Sequence, residues 1–464
     1  MSSKAKAIKN LPGAIPSMNE RTSVLLTDFY QLTMLQGYTQ NHMEAVAVFE
    51  FFVRKLPPQR GFLMAAGLEQ VLEYLEELRF LPSELDWISR SGFFTKAFVD
   101  YLKGFRFTGD VHALPEGTLF FADEPVVRVT APLPEAQLVE SRLVNLLHME
   151  TLIASKAARS VLVAPGKLLV DFGLRRAHGA EAGLLAARAS YLAGFSGTAT
   201  TLAAPLFGIP VYGTMAHSFI EAHDLELSAF ENFAHSQPQN VVLLIDTYDT
   251  ERAAERVVSL APRLKERGIT VKGVRLDSGD LLEHSKEVRE ILDRGGLKDT
   301  QIFSSGNLDE DVLKALLQKG AAIDGFGLGT RLDTSSDAPY LDCAYKLQEY
   351  SGRPRRKRSE GKATWPGRKQ VFRSYDKNGR MARDVVTLEG EKEPGEPLLK
   401  LVMKSGKGVS PSEPLLESRK RAAAGLSCLP EPLRRLDEGA PYPVQIARAV
   451  QDLALEVDQR LSEA

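Results

Sequence analysis

Acids, hydroxyls, arginines, glycines and a histidine follow successive apolar segments in the middle of the chain. In chain order they are Arg175 and Arg176, Thr214 and His217, Asp246 and Thr247, Asp277 and Asp280, Gly306 and Asn307, and Gly329 and Thr330. Glycine turns expose backbone N–H groups, which bind phosphate together with the partial positive charge of a helix N-terminus. Carboxylates suit Mg²⁺ or ribose hydroxyls, and arginine binds phosphate or carboxylate through paired hydrogen bonds. A ligand that carries phosphates, a sugar and a carboxylate would use all of these groups.

Each of these groups also has a purely structural interpretation. The acids of DSGD (277–280) could cap a helix, because Asp and Ser accept hydrogen bonds from the first amides of a helix. GLGT (327–330) is a common turn, Arg175 could be a surface residue, and a lone histidine such as His217 is more often structural than catalytic. The functional interpretation is favoured because the residues follow one predicted strand after another.

The apolar segments alternate with helical patterns, which predicts repeated βα units. The predicted strands of these units lie at 167–173, 209–214, 240–246, 271–277, 301–306 and 323–330. Strands that are apolar nearly throughout indicate a parallel sheet covered on both faces. So many units favour a barrel related to the (β/α)₈ type, in which the active site lies at the C-terminal ends of the strands. No GxGxxG motif opens the first unit, which weakens a dinucleotide-binding interpretation.

The predicted fold class is α/β: an irregular (β/α) barrel with a packed α+β domain built from the N-terminal part and the segment after the barrel. We predict a flexible arm at 1–20, an N-terminal α+β domain at 21–136 and the barrel with the active site at 137–350. Residues 351–464 are predicted to form a basic loop, a return to the α+β domain and a C-terminal helical tail.

Composition excludes several classes of protein. Of 464 residues 44% are hydrophobic, and the formal net charge is -2, so no chain-wide surface for nucleic acid or membranes is expected. No apolar run reaches the length of a membrane helix, and the N-terminus lacks the apolar core of a signal peptide. The two distant cysteines, Cys343 and Cys428, argue against a disulfide framework and favour a cytoplasmic location.

Seven segments between about residues 27 and 373 resemble, in their order, the nicotinate phosphoribosyltransferases. They are LLTDFYQLTM, FEFFVRKLP, FGLRRAHG, GFSGTAT, GTMAHSF, GVRLDSGDL and GLGTRL. The resemblance implies a type II phosphoribosyltransferase fold that works as a homodimer with shared active sites. It also implies that nicotinate and phosphoribosyl pyrophosphate react to give nicotinate mononucleotide and pyrophosphate, in NAD biosynthesis. Coupled ATP hydrolysis, through a phosphorylated histidine, and a requirement for Mg²⁺ are implied as well.

The resemblance assigns roles around the pyridine ring. His217 of GTMAHS would be the phosphorylated residue. Tyr30 would stack on the ring of a site in the partner subunit, and Phe172 would stack on the other face of the ring. Arg175 and Thr214 would lie at the carboxylate of nicotinate.

Further assigned residues surround the sugar and the phosphates. Arg275 and Asp277 would hold the ribose and the surroundings of the ring, and Asp277 and Asp280 are the candidates for binding Mg²⁺. The residues assigned to the 5′-phosphate are Gly306, Asn307, Gly329 and Thr330. The residues assigned to the pyrophosphate or to ATP are Arg54, Lys357 and Lys369.

The pyridine nitrogen needs no base in order to attack the sugar, so catalysis should consist of positioning and electrostatics. His217 is therefore not expected to act as a general base on nicotinate.

The choice between acid and amide depends on the segment GFSGTATT. The related nicotinamide phosphoribosyltransferases carry an aspartate there for the amide, whereas this chain has Ala199 and no acid between Phe195 and Pro205. A carboxylate substrate beside a buried aspartate would be repelled, so the sequence predicts nicotinate.

The alternatives to this function are a nicotinamide phosphoribosyltransferase and a non-catalytic phosphate-binding barrel protein. An aldolase-like barrel would need a central Lys or Glu on a strand, and a quinolinate phosphoribosyltransferase would need more basic residues.

Overall fold

The computed structural model describes residues 23–436 and 441–463. Its internal contacts divide the described chain into two units, one of 23–151, 341–433 and 441–463 and the other of 152–340 and 434–436. The border of the units therefore falls within a long helix at 151, and the return to the first unit begins at Leu341, before the predicted border at 350. The predicted arm, residues 1–20, lies outside the described residues.

Strands occur in three groups along the chain. The first group is β1 (Val46–Val53), β2 (Leu63–Met64), β3 (Asp110–Ala113), β4 (Leu119–Phe120) and β5 (Pro125–Pro132). The second is β6 (Leu168–Asp171), β7 (Gly197–Thr198), β8 (Val241–Leu244), β9 (Val271–Leu276), β10 (Gln301–Ser304) and β11 (Gly325–Leu328). The third is β12 (Cys343–Tyr350), β13 (Arg353–Pro354), β14 (Lys369–Tyr375), β15 (Met381–Leu388), β16 (Glu396–Pro397), β17 (Lys400–Lys404), β18 (Lys407–Gly408) and β19 (Val444–Ile446).

Helices connect and cover these strands. Those before β6 are α1 (Phe29–Gln40), α2 (Leu68–Glu77), α3 (Pro82–Arg90), α4 (Lys96–Leu102), α5 (Leu133–Leu138) and α6 (Glu140–Val163). Those between β6 and β12 are α7 (Ala180–Ala193), α8 (Ala203–Phe207), α9 (His217–Glu221), α10 (Glu226–Ser236), α11 (Thr250–Glu266), α12 (Leu281–Arg294), α13 (Glu310–Gln318) and α14 (Thr330–Asp333). The last are α15 (Leu415–Cys428), a 3₁₀ helix at Glu431–Arg434 and α16 (Arg448–Ser462). None of the described helices combines the length and the apolar character that crossing a membrane requires.

The first unit is built on a seven-stranded sheet in the order β13-β12-β1-β5-β3-β17-β18. Within this sheet β1 pairs antiparallel with β12 and β5 and is buried along seven of its eight residues. The ring of Phe49 stacks on that of Tyr345 from β12 at 4.9 Å. β12 follows the second unit in the chain, so the segment after the barrel completes the N-terminal sheet, as predicted.

The second unit contains six parallel strands in the order β7-β6-β11-β10-β9-β8, each flanked by helices. Within the described residues no ladder joins β7 to β8, so the sheet is a curled half-barrel and not a closed eight-stranded ring. The predicted α/β class and irregular barrel are confirmed.

The predicted strand at 209–214 is wrong. This segment makes a single parallel bridge, from Val211 to Thr198, and Thr198 belongs to the two-residue strand β7, which the sequence did not indicate. Pro210 has no N–H group to donate to a ladder, and half of the surface of Val211 is exposed. The apolar residues of this segment therefore do not form a paired, buried strand. Residues 209–214 instead belong to the irregular connection between β7 and His217.

A buried ion pair in the first unit joins Glu50 of β1 to Lys369 of β14. The ammonium Nζ lies 2.7 Å from Glu50 Oε2 and donates to the carbonyls of Trp365 and Gly367, while the Lys369 N–H donates to Glu50 Oε1. Both side chains are almost wholly buried. Burial lowers the pKa of Lys369, and the charge of Glu50 acts in the opposite direction.

Lys369→Met should lower the free energy of unfolding by about 3–5 kcal/mol, because it leaves the Glu50 carboxylate buried without its cation. Urea unfolding followed by circular dichroism measures this loss. Lys377→Met, at an exposed lysine of the same unit, is the matched control and should change stability by less than about 0.5 kcal/mol. Equal effects of the two substitutions would show that the buried pair has no special role.

Candidate active site

Arg275 is the residue around which the site is assembled. It is the second-last residue of β9, and its guanidinium is mostly buried. Nε donates to Ser305 Oγ at 2.9 Å, Nη1 to Thr214 Oγ1 at 3.0 Å and to the Met215 carbonyl at 3.1 Å, and Nη2 to Asp277 Oδ1 at 2.9 Å. One planar group thus fixes three chain segments that follow different strands.

Asp277 follows β9 and shares its Oδ1 between Arg275 and the hydroxyl of Ser305. Partial burial would raise the pKa of Asp277, but the hydrogen bonds from Ser305 and Arg275 outweigh it, so the pKa lies below its ordinary value. The carboxylate is therefore ionised at neutral pH. Asp246, which follows β8, accepts from the N–H of Asp277 at 2.8 Å and from the Ser278 hydroxyl at 2.7 Å through Oδ2.

His217 is the first residue of α9 and faces the same carboxylate. Its Nδ1 lies 3.1 Å from Thr247 Oγ1, and its Nε2 lies 3.8 Å from Asp277 Oδ2. Rather more than a third of the side chain is exposed. A hydroxyl that accepts from Nδ1–H leaves a lone pair on Nε2, so the ring can act as a nucleophile toward a group that arrives from solvent. Thr247 was not assigned a role from the sequence, although it directly follows the conspicuous Asp246.

Phe172 provides a flat surface beside the guanidinium. It follows β6, its ring centroid lies 5.6 Å from that of Phe303, and Arg275 Cζ lies 5.8 Å from it. A side chain at Gly327 would place its Cβ 2.7 Å from the Phe172 ring, so only glycine lets the ring lie against β11. Aromatic and cationic surfaces in this arrangement suit a planar, anionic ring.

Arg175 and Thr214 differ in how accessible they are. Arg175 is exposed, and among the described residues its guanidinium has no hydrogen-bond or ion-pair partner. Thr214 accepts from Arg275 and is partly buried. Both residues belong to the second unit, as does Phe172, and their assignment to the carboxylate of nicotinate stays a prediction.

Two glycine turns follow β10 and β11. Gly306 and Asn307 both adopt positive φ, +95° and +51°, and a Cβ at Gly306 would lie 2.1 Å from the Asp277 carbonyl. Gly329 and Thr330 open the turn after β11, and Thr330 is exposed.

An ion pair joins the two turns. Asp309 caps α13 by accepting from the Val312 N–H at 2.9 Å, and its other oxygen pairs with Arg331. Arg331 was missed by sequence reasoning, although its position directly after GLGT is a signal that could have found it.

The remaining predicted residues lie in the first unit. Tyr30 and Arg54 line a cavity of about 540 Å³ there, together with Glu140, His148 and Lys346. Partial burial and the charge of Glu140 raise the pKa of Tyr30, and Arg54 Nη1 pairs with Asp342 at 3.0 Å. Lys357 is exposed in the basic loop.

Lys369 requires a correction. The prediction that it approaches the pyrophosphate or ATP is contradicted, because its ammonium is buried against Glu50 and two carbonyls. The basic composition around it suggested a solvated loop, but Lys369 is the first residue of β14 and faces the interior of the first unit.

Of the acids near the site, Asp246 and Asp277 are suited to bind Mg²⁺, whereas Asp280 is not. Within the described ranges no group of three or more His, Cys, Asp or Glu residues could hold a metal ion. Asp280 Oδ1 is occupied as the cap of α12, accepting from the N–H groups of Leu282 and Glu283. Asp246 Oδ1, however, is buried and has no hydrogen-bond partner among the described residues, and Asp277 Oδ2 is bound by neither Arg275 nor Ser305. Mg²⁺ commonly uses one or two carboxylates and takes its other ligands from substrate phosphates and water, and this pair fits that pattern.

Comparison with known proteins agrees with this geometry. Three models match the chain: the nicotinate phosphoribosyltransferase N-terminal domain at residues 25–148, the nicotinate phosphoribosyltransferase family at 168–357 and the C-terminal domain at 395–454. Nicotinate phosphoribosyltransferase pncB2 of Mycobacterium tuberculosis is 48% identical over 441 residues, which cover 94% of this chain and 95% of that protein. The Bacillus subtilis nicotinate phosphoribosyltransferase is 39% identical, covering 79% of this chain and 76% of its own.

Solved structures give the same result. The crystal structure of human nicotinic acid phosphoribosyltransferase superimposes with a TM-score of 0.84 at 30% identity, covering 93% of this chain and 99% of that one. The nicotinate-nucleotide pyrophosphorylase of Pyrococcus furiosus superimposes with a TM-score of 0.72 at 25% identity, covering 90% and 98%. The resemblance seen in the sequence motifs is confirmed: this chain belongs to the nicotinate phosphoribosyltransferase family.

Proposed function

We propose that the chain forms nicotinate mononucleotide and pyrophosphate from nicotinate and phosphoribosyl pyrophosphate, as a step of NAD biosynthesis. The observation that carries the proposal is the Arg275 guanidinium, which holds Thr214, Ser305 and Asp277 while Phe172 lies beside it. These groups recognise a ring, an acid and a sugar, and two glycine turns on the neighbouring strands suit a phosphate.

In this proposal nicotinate stacks on Phe172, and its carboxylate is bound by Arg175 and Thr214. The 5′-phosphate of the ribose is bound by the turns at Gly306–Asn307 and Gly329–Thr330. Phosphate-binding turns of this kind act through backbone N–H groups and need little side-chain movement. The substrates are thereby aligned before the reaction begins, which removes much of its entropic barrier.

The reaction exchanges one bond for another at the anomeric carbon of the ribose. The lone pair of the ring nitrogen forms the new N–C bond, while the C–O bond to pyrophosphate breaks and its electron pair leaves with the pyrophosphate. Positive charge develops on the sugar, and the ionised Asp277 is suited to stabilise it. Asp246 and Asp277 would hold Mg²⁺, which when bound offsets the charge of the pyrophosphate.

We extend the proposal to ATP. Transfer of the γ-phosphoryl group to His217 Nε2 breaks the bond to ADP and forms a phosphohistidine, which water later hydrolyses. Thr247 at Nδ1 would keep the ring in the required tautomer, and the exposure of the side chain would admit the nucleotide. Arg54 and Lys357 are further candidates for binding phosphates.

The proposal also includes a cytoplasmic homodimer in which Tyr30 stacks on the ring in the partner subunit's site. Nearly half of the surface of Tyr30 is exposed in the monomer, and both cysteines are free thiols. An exposed aromatic ring suits a role in a shared site.

Arg275→Gln should lower kcat/KM for nicotinate by about 100-fold or more, because the charged hydrogen bond to Asp277 is lost and glutamine cannot hold Thr214 and Ser305 at the same time. Nicotinate-dependent release of pyrophosphate from phosphoribosyl pyrophosphate measures this. Arg252→Gln, at an exposed arginine of the same unit, is the control and should match the wild type. Absence of nicotinate-dependent pyrophosphate release from the wild type would refute the proposed function itself.

His217→Ala should abolish the stimulation of synthesis by ATP and retain measurable ATP-independent synthesis, since the ring is not needed for the attack on the sugar. The readouts are nicotinate mononucleotide formation with and without ATP, and acid-labile ³²P on the protein. His235→Ala, at an exposed histidine, should leave both unchanged. Full ATP stimulation in His217→Ala would exclude the phosphohistidine.

Ala199→Asp should lower kcat/KM for nicotinate by at least about tenfold and shift the preference toward nicotinamide, because the new carboxylate repels that of nicotinate. Ala199→Asn has nearly the same size without the charge and should retain the preference for nicotinate. A competition assay with both substrates compares the variants. Equal preference in Ala199→Asp and Ala199→Asn would mean that residue 199 does not face the carboxylate.

A further inference from the structure

Two buried carboxyl groups, which the proposed reaction does not use, adjoin beneath the ring-binding turn of the second unit. Asp171 is the last residue of β6, and Asp333 is the last residue of α14. Both side chains are withdrawn from solvent, with exposures of 0% and 4%. Both carboxyl groups adjoin Gly173: Asp171 Oδ1 accepts from its N–H at 2.7 Å, and Asp333 Cγ lies 2.0 Å from the position that a Cβ there would take.

A hydrogen bond between two carboxyl groups requires a proton on one of them. Burial raises the pKa of Asp171, but the two hydrogen bonds that it accepts, from the Gly173 N–H at 2.7 Å and from the Thr198 hydroxyl at 2.6 Å, favour its ionised form. No N–H or O–H group of another described residue reaches either oxygen of Asp333. Burial, and then the charge of Asp171, raise the pKa of Asp333 well above its ordinary value. The proton therefore belongs to Asp333.

Asp171 connects the two segments that face the pyridine ring. Its carboxylate holds Gly173, which lies between Phe172 and Arg175, and its backbone carbonyl accepts from the Ala199 N–H at 2.8 Å. Thr198, held by the other oxygen, directly precedes Ala199. The position of both ring-facing segments depends on the orientation of this one carboxylate.

Asp333 connects the same carboxylate to a phosphate turn. Its backbone N–H donates to the Gly329 carbonyl at 3.1 Å. Gly329 directly precedes Thr330, the first residue of the short helix α14 that Asp333 ends. The Asp333 carboxyl group packs against Gly173, where the Cβ of any larger residue would lie 2.2 and 2.4 Å from the two Asp333 oxygens. Only glycine at position 173 allows this contact.

We propose that Asp333 is a positioning residue, a neutral acid whose O–H donates to Asp171 and so aligns the ring-binding turn with the phosphate turn at Gly329–Thr330. The inference rests on the proposed function for the meaning of these two turns. The inference goes beyond the proposed function because the proton that aligns the two substrate-binding turns is buried and does not contact the substrates.

The test compares Asp333→Asn, whose amide can still donate to Asp171, with Asp333→Leu, which has a similar size and no donor. Steady-state kinetics give KM and kcat for nicotinate, thermal melting reports folding, and Asp299→Leu is the control at an exposed aspartate of the same unit. Asp333→Leu should raise KM for nicotinate at least about fivefold, while Asp333→Asn and Asp299→Leu stay within about twofold of the wild type.

Two kinetic results would overturn the proposal: a folded Asp333→Leu with unchanged KM, or an Asp333→Asn as impaired as Asp333→Leu. Infrared difference spectroscopy of the wild type against Asp333→Asn keeps the test decisive if Asp333→Leu does not fold. The wild type should show the carbonyl stretch of a protonated carboxylic acid that Asp333→Asn lacks, and absence of this band would refute the neutral acid. An inactive wild type would instead refute the proposed function, whatever the spectrum shows.

Discussion

The arrangement of the candidate site depends on the donor geometry of one guanidinium. Arg275 presents its N–H groups in a rigid plane, and each edge of that plane meets a different segment: Ser305, Thr214 and Asp277. A lysine in its place would offer a point charge on a flexible stem and could not hold three segments in one plane. The partial burial of the group strengthens each bond, because water competes less for the donors.

The same guanidinium explains how acids can crowd the site without repelling each other. Asp277 is ionised because Ser305 and Arg275 bind it, and Asp246 is turned toward the Asp277 backbone N–H and the Ser278 hydroxyl. His217 can then face a carboxylate whose charge is largely compensated. The proposed solution at a second place in the unit is the opposite one: among the described residues no cation pairs with Asp171, and burial raises the pKa of the adjoining Asp333 so that it would take up a proton.

Buried ion pairs hold the start of α13, which follows the glycine turn at Gly306–Asn307. Lys156 and Arg159 of α6 both bind Glu310, the first residue of α13, at 2.7 and 2.8 Å, and neither the acid nor the bases reach solvent. The residue before it, Asp309, caps α13 and pairs with Arg331. Removal of one partner from such a set leaves a charge in the interior, so these pairs hold the turn in a single arrangement.

The sequence alone predicted the α/β fold class and most strands of the second unit, because these features depend on local residue patterns. Short apolar runs bounded by glycine or acidic residues predicted five of the six strands of the second unit. The polar residues that follow those strands predicted the position of a site. Both predictions were possible because strand ends and turns depend on residues that are close in sequence. Seven ordered motifs indicated the family, which the comparisons confirm, and predicted roles for His217, Phe172 and Arg275. The tertiary structure alone decided which polar groups meet. Thr214 and Arg275 are 61 residues apart, the Asp171–Asp333 contact joins a strand to a distant helix, and Lys369 is buried by a glutamate 319 positions away. Burial and pairing are properties of packing between distant segments, and a local pattern does not encode them.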